Sequence, residues 1–303
     1  MKEIIKITLG LTITCLFAAF VMGSVYIITA KAKKHNEHLN FQETMLGMLG
    51  YDNNHPAPDD LNLNNVYRYL LKSDNKQCLG YLIPVLLKNK IAYKFVIIDI
   101  EGKFIKEYDL KIKSEEVIDN NDRLKAVQSN IDEANLIYAD TFITAKIGKK
   151  RLAYLLPGQS PGFKTAINFM LALDANYKIL GLEIIDHQED PGLGAEIEQE
   201  YFKNQFKEKK FKNIKSLKVV KEPLPDDYRL ILEESKNQYT NLKQDRVTKI
   251  RDSYKEKDIY AITGATISSV AVTSGVRNTL KKFAYRLNVL DKIIAERKLN
   301  IAF

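Results

Sequence analysis

The segment Thr263-Gly264-Ala265-Thr266-Ile267-Ser268-Ser269 places four hydroxyls among small residues, immediately ahead of a strongly periodic apolar stretch. Val272, Val276, Leu280, Phe283, Leu287 and Leu290 recur at three- and four-residue intervals, the pattern of a helix with one buried face. Unpaired N–H groups and about half a positive charge gather at a helix N-terminus. Gly264 and Ala265 carry little side chain, so a ligand can come close to that backbone. The chemistry suited to such a place is anion binding, phosphate above all, with a threonine or serine hydroxyl as nucleophile inside the site. The same residues also suit a plain turn in which Thr266, Ser268 or Ser269 caps the helix. The motif alone leaves both readings open.

The elements that must present this segment can be read from pattern. Leu61–Leu71 reads as a helix. Leu79–Ile112 carries β-branched and aromatic runs broken at Lys88-Asn89-Lys90 and Glu101-Gly102, which predicts three antiparallel strands, and Ser114–Ala139 reads as helical. Thr141–Leu156 predicts a hairpin turning at Gly148-Lys149, and Thr165–His187 another turning near Asp174-Ala175-Asn176. Asp186–Gly194 is a loop containing Glu189, Gly192, Leu193 and Gly194. A helix over Ala195–Lys210, with Ile197, Tyr201, Phe202, Gln205, Phe206 and Lys209 on related turns, leads to a strand at Leu217–Val220. Pro223–Lys257 is polar and charge-rich, a helical excursion on the surface, and a short strand at Asp258–Ile262 delivers the chain to Thr263. No internal sequence repeat is visible. The fold class expected is α+β, with largely antiparallel sheets and flanking helices.

Ile7–Ala30 contains no charged residue over 24 positions. At about 1.5 Å per residue, that helix reaches across a hydrocarbon core of about 30 Å. A single N-terminal transmembrane helix is therefore expected, the competing reading being a signal peptide cut near Ala30-Lys31-Ala32. Lys2 and Lys6 before the span are matched by Lys31, Lys33 and Lys34 after it, so charge counting assigns no orientation. A short juxtamembrane helix is expected over His35–Leu49, with an Asn/Asp/Pro-rich loop over Tyr51–Asp60. The expected organisation is an anchor over 1–34, a membrane-proximal α+β region over 35–151, a ligand-binding domain over 152–290 with the insertion near 223–257, and a tail over 291–303.

A net charge of +8 comes from basic residues spread along the chain and interleaved with acidic ones, which argues against nucleic acid. Cys15 lies in the span and Cys78 beyond it, a placement that rules out a disulfide between them. The four histidines, His35, His38, His55 and His187, stand without a carboxylate or cysteine set at ligand spacing, so no metal site is expected.

Two blocks together resemble RnfG and NqrC, the covalent-flavin subunits of the Rnf and Nqr redox complexes. His187-Gln188-Glu189-Asp190-Pro191-Gly192-Leu193-Gly194 is similar to the family's H-x-E-T-P-G-L-G, and Gln205-Phe206-Lys207-Glu208-Lys209 to its Q-F-x-G-K. Thr263-Gly264-Ala265-Thr266 matches its [ST]-G-A-T. The anchor, Pro161-Gly162-Phe163 ahead of a strand, and the order of the blocks agree as well, so the resemblance covers the anchor and about 152–283.

In that family the last Thr of the motif carries flavin mononucleotide (FMN) through a phosphoester made by a separate flavin transferase, which implies covalent FMN at Thr266. Thr263, Gly264, Ala265, Ser268 and Ser269 would surround the phosphate, while Glu189, Gly192, Leu193 and Gly194 would line the ring or ribityl chain. The resemblance further implies electron relay within an ion-translocating oxidoreductase of the ferredoxin:NAD or NADH:quinone type, with the other members of the complex as partners. It places the chain in the inner membrane, with its soluble domain on the outer face. Three positions depart from the pattern. Tyr260 stands where the family has Asp, the nearest carboxylate being Asp258; Asp190 replaces a Thr and Glu208 a Gly. A cofactor-free assembly subunit, and a free-standing flavoprotein feeding a reductase, are the competing functions.

Overall fold

The computed structural model describes residues 2–73, 76–88, 90–131, 135–148, 150–236 and 242–303, with the backbone alone at 31–38, 73, 76 and 115. The expected turn residues Asn89 and Lys149, the stretch 132–134 and the side chains of His35 and His38 thus lie outside the described residues. The chain divides into two units, Met1–Pro56 and Ala57–Phe303. The first is built on one helix, α1 (Lys2–Met48), whose Lys2–Ala30 portion is long and apolar enough to cross a membrane. The juxtamembrane helix expected at His35–Leu49 is not separate: no Pro or Gly lies between Ala30 and Thr44 to stop α1.

The second unit begins with a four-strand meander, β1 (Leu61–Ser73), β2 (Lys76–Leu87), β3 (Lys90–Asp99) and β4 (Phe104–Leu110). Two short helices follow, α2 (Ser114–Ile118) and α3 (Asn120–Gln128), the latter capped by Asp119, whose carboxylate accepts the N–H groups of Asn121 and Asp122. A second meander then runs through β5 (Asn135–Ile147), β6 (Lys150–Pro161), β7 (Ala166–Asp174) and β8 (Ile179–Asp186). These eight strands form one antiparallel sheet of order β4-β3-β2-β1-β5-β6-β7-β8. The order reads alike outward from the central β1–β5 pair, a repeat of topology that the sequence does not display. The boundary expected at 151–152 falls at the start of β6, within this sheet.

Leu61–Leu71, expected as a helix, is β1. Being central, β1 is buried on both faces: Tyr67, Tyr69 and Leu71 join a cluster with Val117 and Val127 of α2 and α3, whereas Val66 joins the opposite core. A doubly buried strand reads as a continuous apolar run, which periodicity does not separate from a helix. Asn135–Ala139, expected at the end of a helix, opens β5; Leu136 is buried while Ile137 and Tyr138 are exposed, and so short a stretch carries no period that separates strand from helix. Arg123 of α3 is buried, stacks on Tyr67 and donates to the Tyr69 hydroxyl at 2.8 Å, which fastens these helices to the sheet.

The hairpins predicted for 141–156 and 165–187 are present as β5–β6 and β7–β8. After β8 the chain passes a loop and a 3₁₀ turn at Gly194–Glu198, then α4 (Glu200–Lys203), a second 3₁₀ turn at Asn204–Phe206 and α5 (Phe211–Ile214). The single helix expected over Ala195–Lys210 is broken because Gln199 takes an extended conformation (φ −71°, ψ 145°). Ile197, Phe202, Gln205, Phe206 and Lys209 are nonetheless buried.

β9 (Val219–Val220) pairs in parallel with β10 (Ile259–Tyr260). Between them, α6 (Asp226–Leu232) and α7 (Gln244–Tyr254) close a small core of Tyr228, Ile231, Leu232, Val247 and Ile250. The long helix α8 (Thr266–Arg297) then lays Val272, Val276, Leu280, Leu287, Leu290 and Ile293 on one face of the sheet. Residues 291–303 are docked: α8 runs on to Arg297, and Asn300–Ala302 pair with Pro84 and Leu86 of β2.

Candidate functional site

The first turn of α8 meets three loops. Thr266 opens the helix directly; Ala265 holds the cap position (φ −129°, ψ 42°) with no side-chain cap. None of Thr266, Ser268 or Ser269 performs the capping expected of it, so the first N–H groups of α8 keep the capacity to bind an anion. Gly264 sits at φ +78°, in the left-handed region where glycine is tolerated best, and a Cβ there would come within 3.0 Å of Leu193 Cδ2. This turn aims Thr263 and Gly264 outward and leaves the Thr266 side chain half-buried.

Ser269 holds the turn from inside. Its hydroxyl is buried, accepts the Ile262 N–H at 3.0 Å and donates to the Ala265 carbonyl at 3.0 Å. Ser268 is also buried and donates to Glu189 Oε2. Glu189, itself only 5% exposed, accepts at Oε1 the N–H groups of Phe163 (2.9 Å) and Lys164 (3.1 Å). One carboxylate therefore ties together the β6–β7 turn, the 187–194 loop and the start of α8. Gly162 and Gly194 make room for it, since a Cβ at either would fall within 2.7 Å of a Glu189 oxygen. His187 fixes the loop further: its Nδ1 lies 3.0 Å from the Glu189 N–H, and its Nε2 pairs with Glu198 at 2.8 Å.

The Q-F-x-x-K block braces the other side. Gln205 Oε1 accepts the Tyr260 N–H at 2.8 Å, while its Nε2 donates to the Tyr260 carbonyl at 3.2 Å. Buried Lys209 donates to the carbonyls of Lys255 (3.2 Å) and Lys257, and burial pulls its ammonium down to about 8. Gln205 thus acts on the strand that delivers Thr263, and Lys209 on the turn that leads into that strand. The Tyr260 side chain joins the excursion instead, edge-on to Tyr228 and Tyr254, which stack at 4.2 Å. Asp258 accepts the Lys218 N–H at 2.9 Å, and Asp190 pairs with Lys164. Glu208, at a family glycine position, retains φ +63°.

Around Thr266 the surface is apolar. Phe163 is 61% exposed and Ile267 58%, with Leu193 and Val270 also exposed. Gly192, at φ +71°, has open space where a Cβ would stand. Among the expected site residues, Thr263, Gly264, Thr266, Gly192 and Leu193 lie toward solvent, whereas Glu189, Ala265, Gly194, Ser268 and Ser269 lie behind them. Sequence reading did not single out Ile267 and Val270, which look like ordinary helix positions. Their signal is that they fall off the apolar stripe of α8 and so face outward.

Helix donors, a hydroxyl and bare glycine backbone beside exposed apolar side chains are the chemistry that suits a phosphorylated molecule bearing a flat ring. Residues 162–281 match the model of the FMN-binding domain family. Over 163 residues the chain is 29% identical to the G-subunit of the proton-translocating ferredoxin:NAD(+) oxidoreductase complex of Clostridium ljungdahlii, a match covering 54% of this chain and 70% of the relative. Two solved structures overlay partially. NqrC of Shewanella oneidensis gives a TM-score of 0.34 at 16% identity, over 48% of this chain and 55% of that one. The C-subunit of the Na(+)-translocating NADH-quinone reductase of Parabacteroides distasonis gives 0.35 at 19% identity, over 67% and 77%. The chain is thus similar to the G-subunit of a ferredoxin:NAD(+) oxidoreductase complex, and its residues 162–281 match an FMN-binding domain.

Proposed function

We propose that the chain is a membrane-anchored electron-transfer subunit with FMN joined by a phosphoester to Thr266, working among the members of an Rnf/Nqr-type complex. The observation that carries this reading is the half-buried Thr266 hydroxyl at the first residue of α8, behind Gly264 at φ +78° and inside the matched segment. The first-turn N–H groups of α8 would hold the phosphate and the helix dipole would offset its charge. Phe163, Leu193, Ile267 and Val270 offer apolar surface for the ring. Glu189, Ser268, Ser269 and Gln205 keep the loops in register rather than touching the cofactor. FMN, when bound, supplies one- and two-electron redox chemistry. The residues around it orient the ring and limit water at one of its faces.

α1 anchors the chain in the inner membrane in this reading, the Ala57–Phe303 unit stands on its outer face, and a separate flavin transferase installs the cofactor. The test is the intact mass of the protein made with that transferase. One covalent FMN, mapped to the Thr266 peptide and absent from Thr266→Ala, is the expected result. Covalent flavin persisting in Thr266→Ala would refute the site. A flavin-free wild type that still copurifies with a membrane complex would favour the assembly-subunit reading, which Tyr260 at the family's Asp position motivates.

A further inference from the structure

The sheet opens twice, at equivalent places in its two meanders. β1 and β2 pair from Ser73↔Lys76 only as far as Tyr67↔Leu82, and β5 and β6 from Ile147↔Lys150 only as far as Ile143↔Leu155. Beyond these points the strands part: β1 and β5 continue to pair with each other, β2 with β3 and β6 with β7. Pro84 and Pro157 stand two positions past the last pair in β2 and β6, each removing one ladder donor.

The first opening is filled by the chain's own C-terminus. Asn300–Ala302 run antiparallel to β2, with the Leu86 N–H donating to the Asn300 carbonyl at 2.7 Å and the Ala302 N–H to the Pro84 carbonyl at 3.0 Å. On the far side Lys146 Nζ donates to the Ala302 carbonyl at 3.0 Å, and Phe303 is buried against Phe142 and Arg151. An extended segment held by strand pairing, a cation and an aromatic contact is thus what such an opening accommodates.

Among the described residues, no backbone pairs with the facing edges of β5 and β6 in the second opening. It is a cleft of about 420 Å³ floored by α8. Its charge is one-sided. Arg68 grips Asp140 through Nε and Nη2 (2.9 and 2.5 Å), and Arg286 donates to the same carboxylate at 2.6 Å. Two guanidinium groups share one carboxylate, and Lys282 in the cleft wall makes no ion pair among the described residues. A bulge opposite Arg68 and Tyr69, where Ala139 is left over, twists β5 away at this point. Tyr81, Tyr138, Phe142 and Phe283 add aromatic surface.

We propose that the β5–β6 cleft is a docking site for an extended acidic peptide segment of a partner protein, which pairs with the strand edges and sets a carboxylate against Lys282 and Arg286. Backbone pairing supplies affinity in such strand addition, and side-chain pockets supply specificity. The charge excess selects acidic partners and makes the association sensitive to salt. This inference does not depend on flavin at Thr266.

The test uses the full chain in detergent and a fluorescent hexapeptide alternating glutamate with apolar residues, Glu-Leu-Glu-Ile-Glu-Phe, followed by anisotropy. Saturable binding is expected, weakened about tenfold or more by Lys282→Glu, which leaves the Arg68–Asp140–Arg286 cluster intact. A backbone N-methylated version of the peptide is expected not to bind. No saturable binding, equal binding of a lysine-for-glutamate peptide, equal binding of the N-methylated peptide, or inorganic phosphate binding as tightly as the peptide would each overturn the proposal.

Discussion

Glu189 accepts the hydroxyl of Ser268 across 79 residues of chain, and through its other oxygen holds the N–H groups of Phe163 and Lys164. The bond joins the glycine-rich loop after β8 to the first turn of α8, the two blocks that carry the flavin resemblance. A buried carboxylate is costly unless donors satisfy it, and here three donors from two other segments do so. Glu189 thereby sets the spacing between the 187–194 loop, the β6–β7 turn and the start of α8.

Removing that latch has graded costs. Ser268→Ala takes away one donor from a buried carboxylate and is expected to destabilise by about 1–3 kcal/mol. Gly194→Ala places a Cβ 2.7 Å from Glu189 Oε2 and 2.8 Å from Ser268 Oγ. It is expected to be the more damaging of the two, because backbone as well as side chain must shift. Thermal melts of the full chain in detergent rank them, and equal midpoints for both variants and the wild type would remove the latch role.

Tyr260 bears on flavin attachment through its backbone. Gln205 holds both its N–H and its carbonyl, whereas its ring belongs to the Tyr228 and Tyr254 cluster. Tyr260→Asp is therefore expected to lower stability by about 1–3 kcal/mol through lost packing, with no gain in flavin loading. Absorbance of the denatured protein at the flavin band measures the loading. A large rise would mean that the missing carboxylate limits modification.

Glu208 holds φ +63° where the family pattern has glycine. A side chain in the left-handed region costs roughly 1–2 kcal/mol, and glycine returns part of that as unfolded-state entropy. Glu208→Gly is expected to stabilise by up to about 1 kcal/mol and to raise the melting midpoint. A lowered midpoint would mean that the Glu208 side chain makes a contact stronger than the strain.

Lys209 predicts a pH dependence. Its ammonium is held near 8 by burial, below the ordinary lysine value of about 10.4. Between those values the unfolded chain binds the additional proton, so stability rises with pH, by at most about 1.4 kcal/mol per unit. Burial also raises Tyr81, Tyr138 and Tyr201 to about 12. Above about 10 the unfolded tyrosines lose protons that the folded ones retain, and stability falls. A maximum near pH 10 is expected, with the rising limb flattened in Lys209→Met. An unchanged rising limb in that variant would assign it to other groups.

The sequence by itself determined what depends on neighbours along the chain. The apolar span, the two hairpins of the second meander, the stripe of α8 and the Thr263–Thr266 turn are local patterns, and each is where periodicity or turn chemistry puts it. Tertiary structure decided what depends on a second segment. Leu61–Leu71 is a strand because β2 and β5 flank it, and a chain buried on both faces loses the alternation that marks a strand. Asn300–Ala302 is pinned because the β1–β2 opening leaves it an edge to pair with. Ser269, Glu189 and Gln205 became fasteners because their partners lie in other loops, and hydrogen bonds between distant loops leave no period in sequence. The cleft between β5 and β6 has the same origin: Arg68, Asp140, Lys282 and Arg286 are scattered through the chain, and only the folded sheet assembles them.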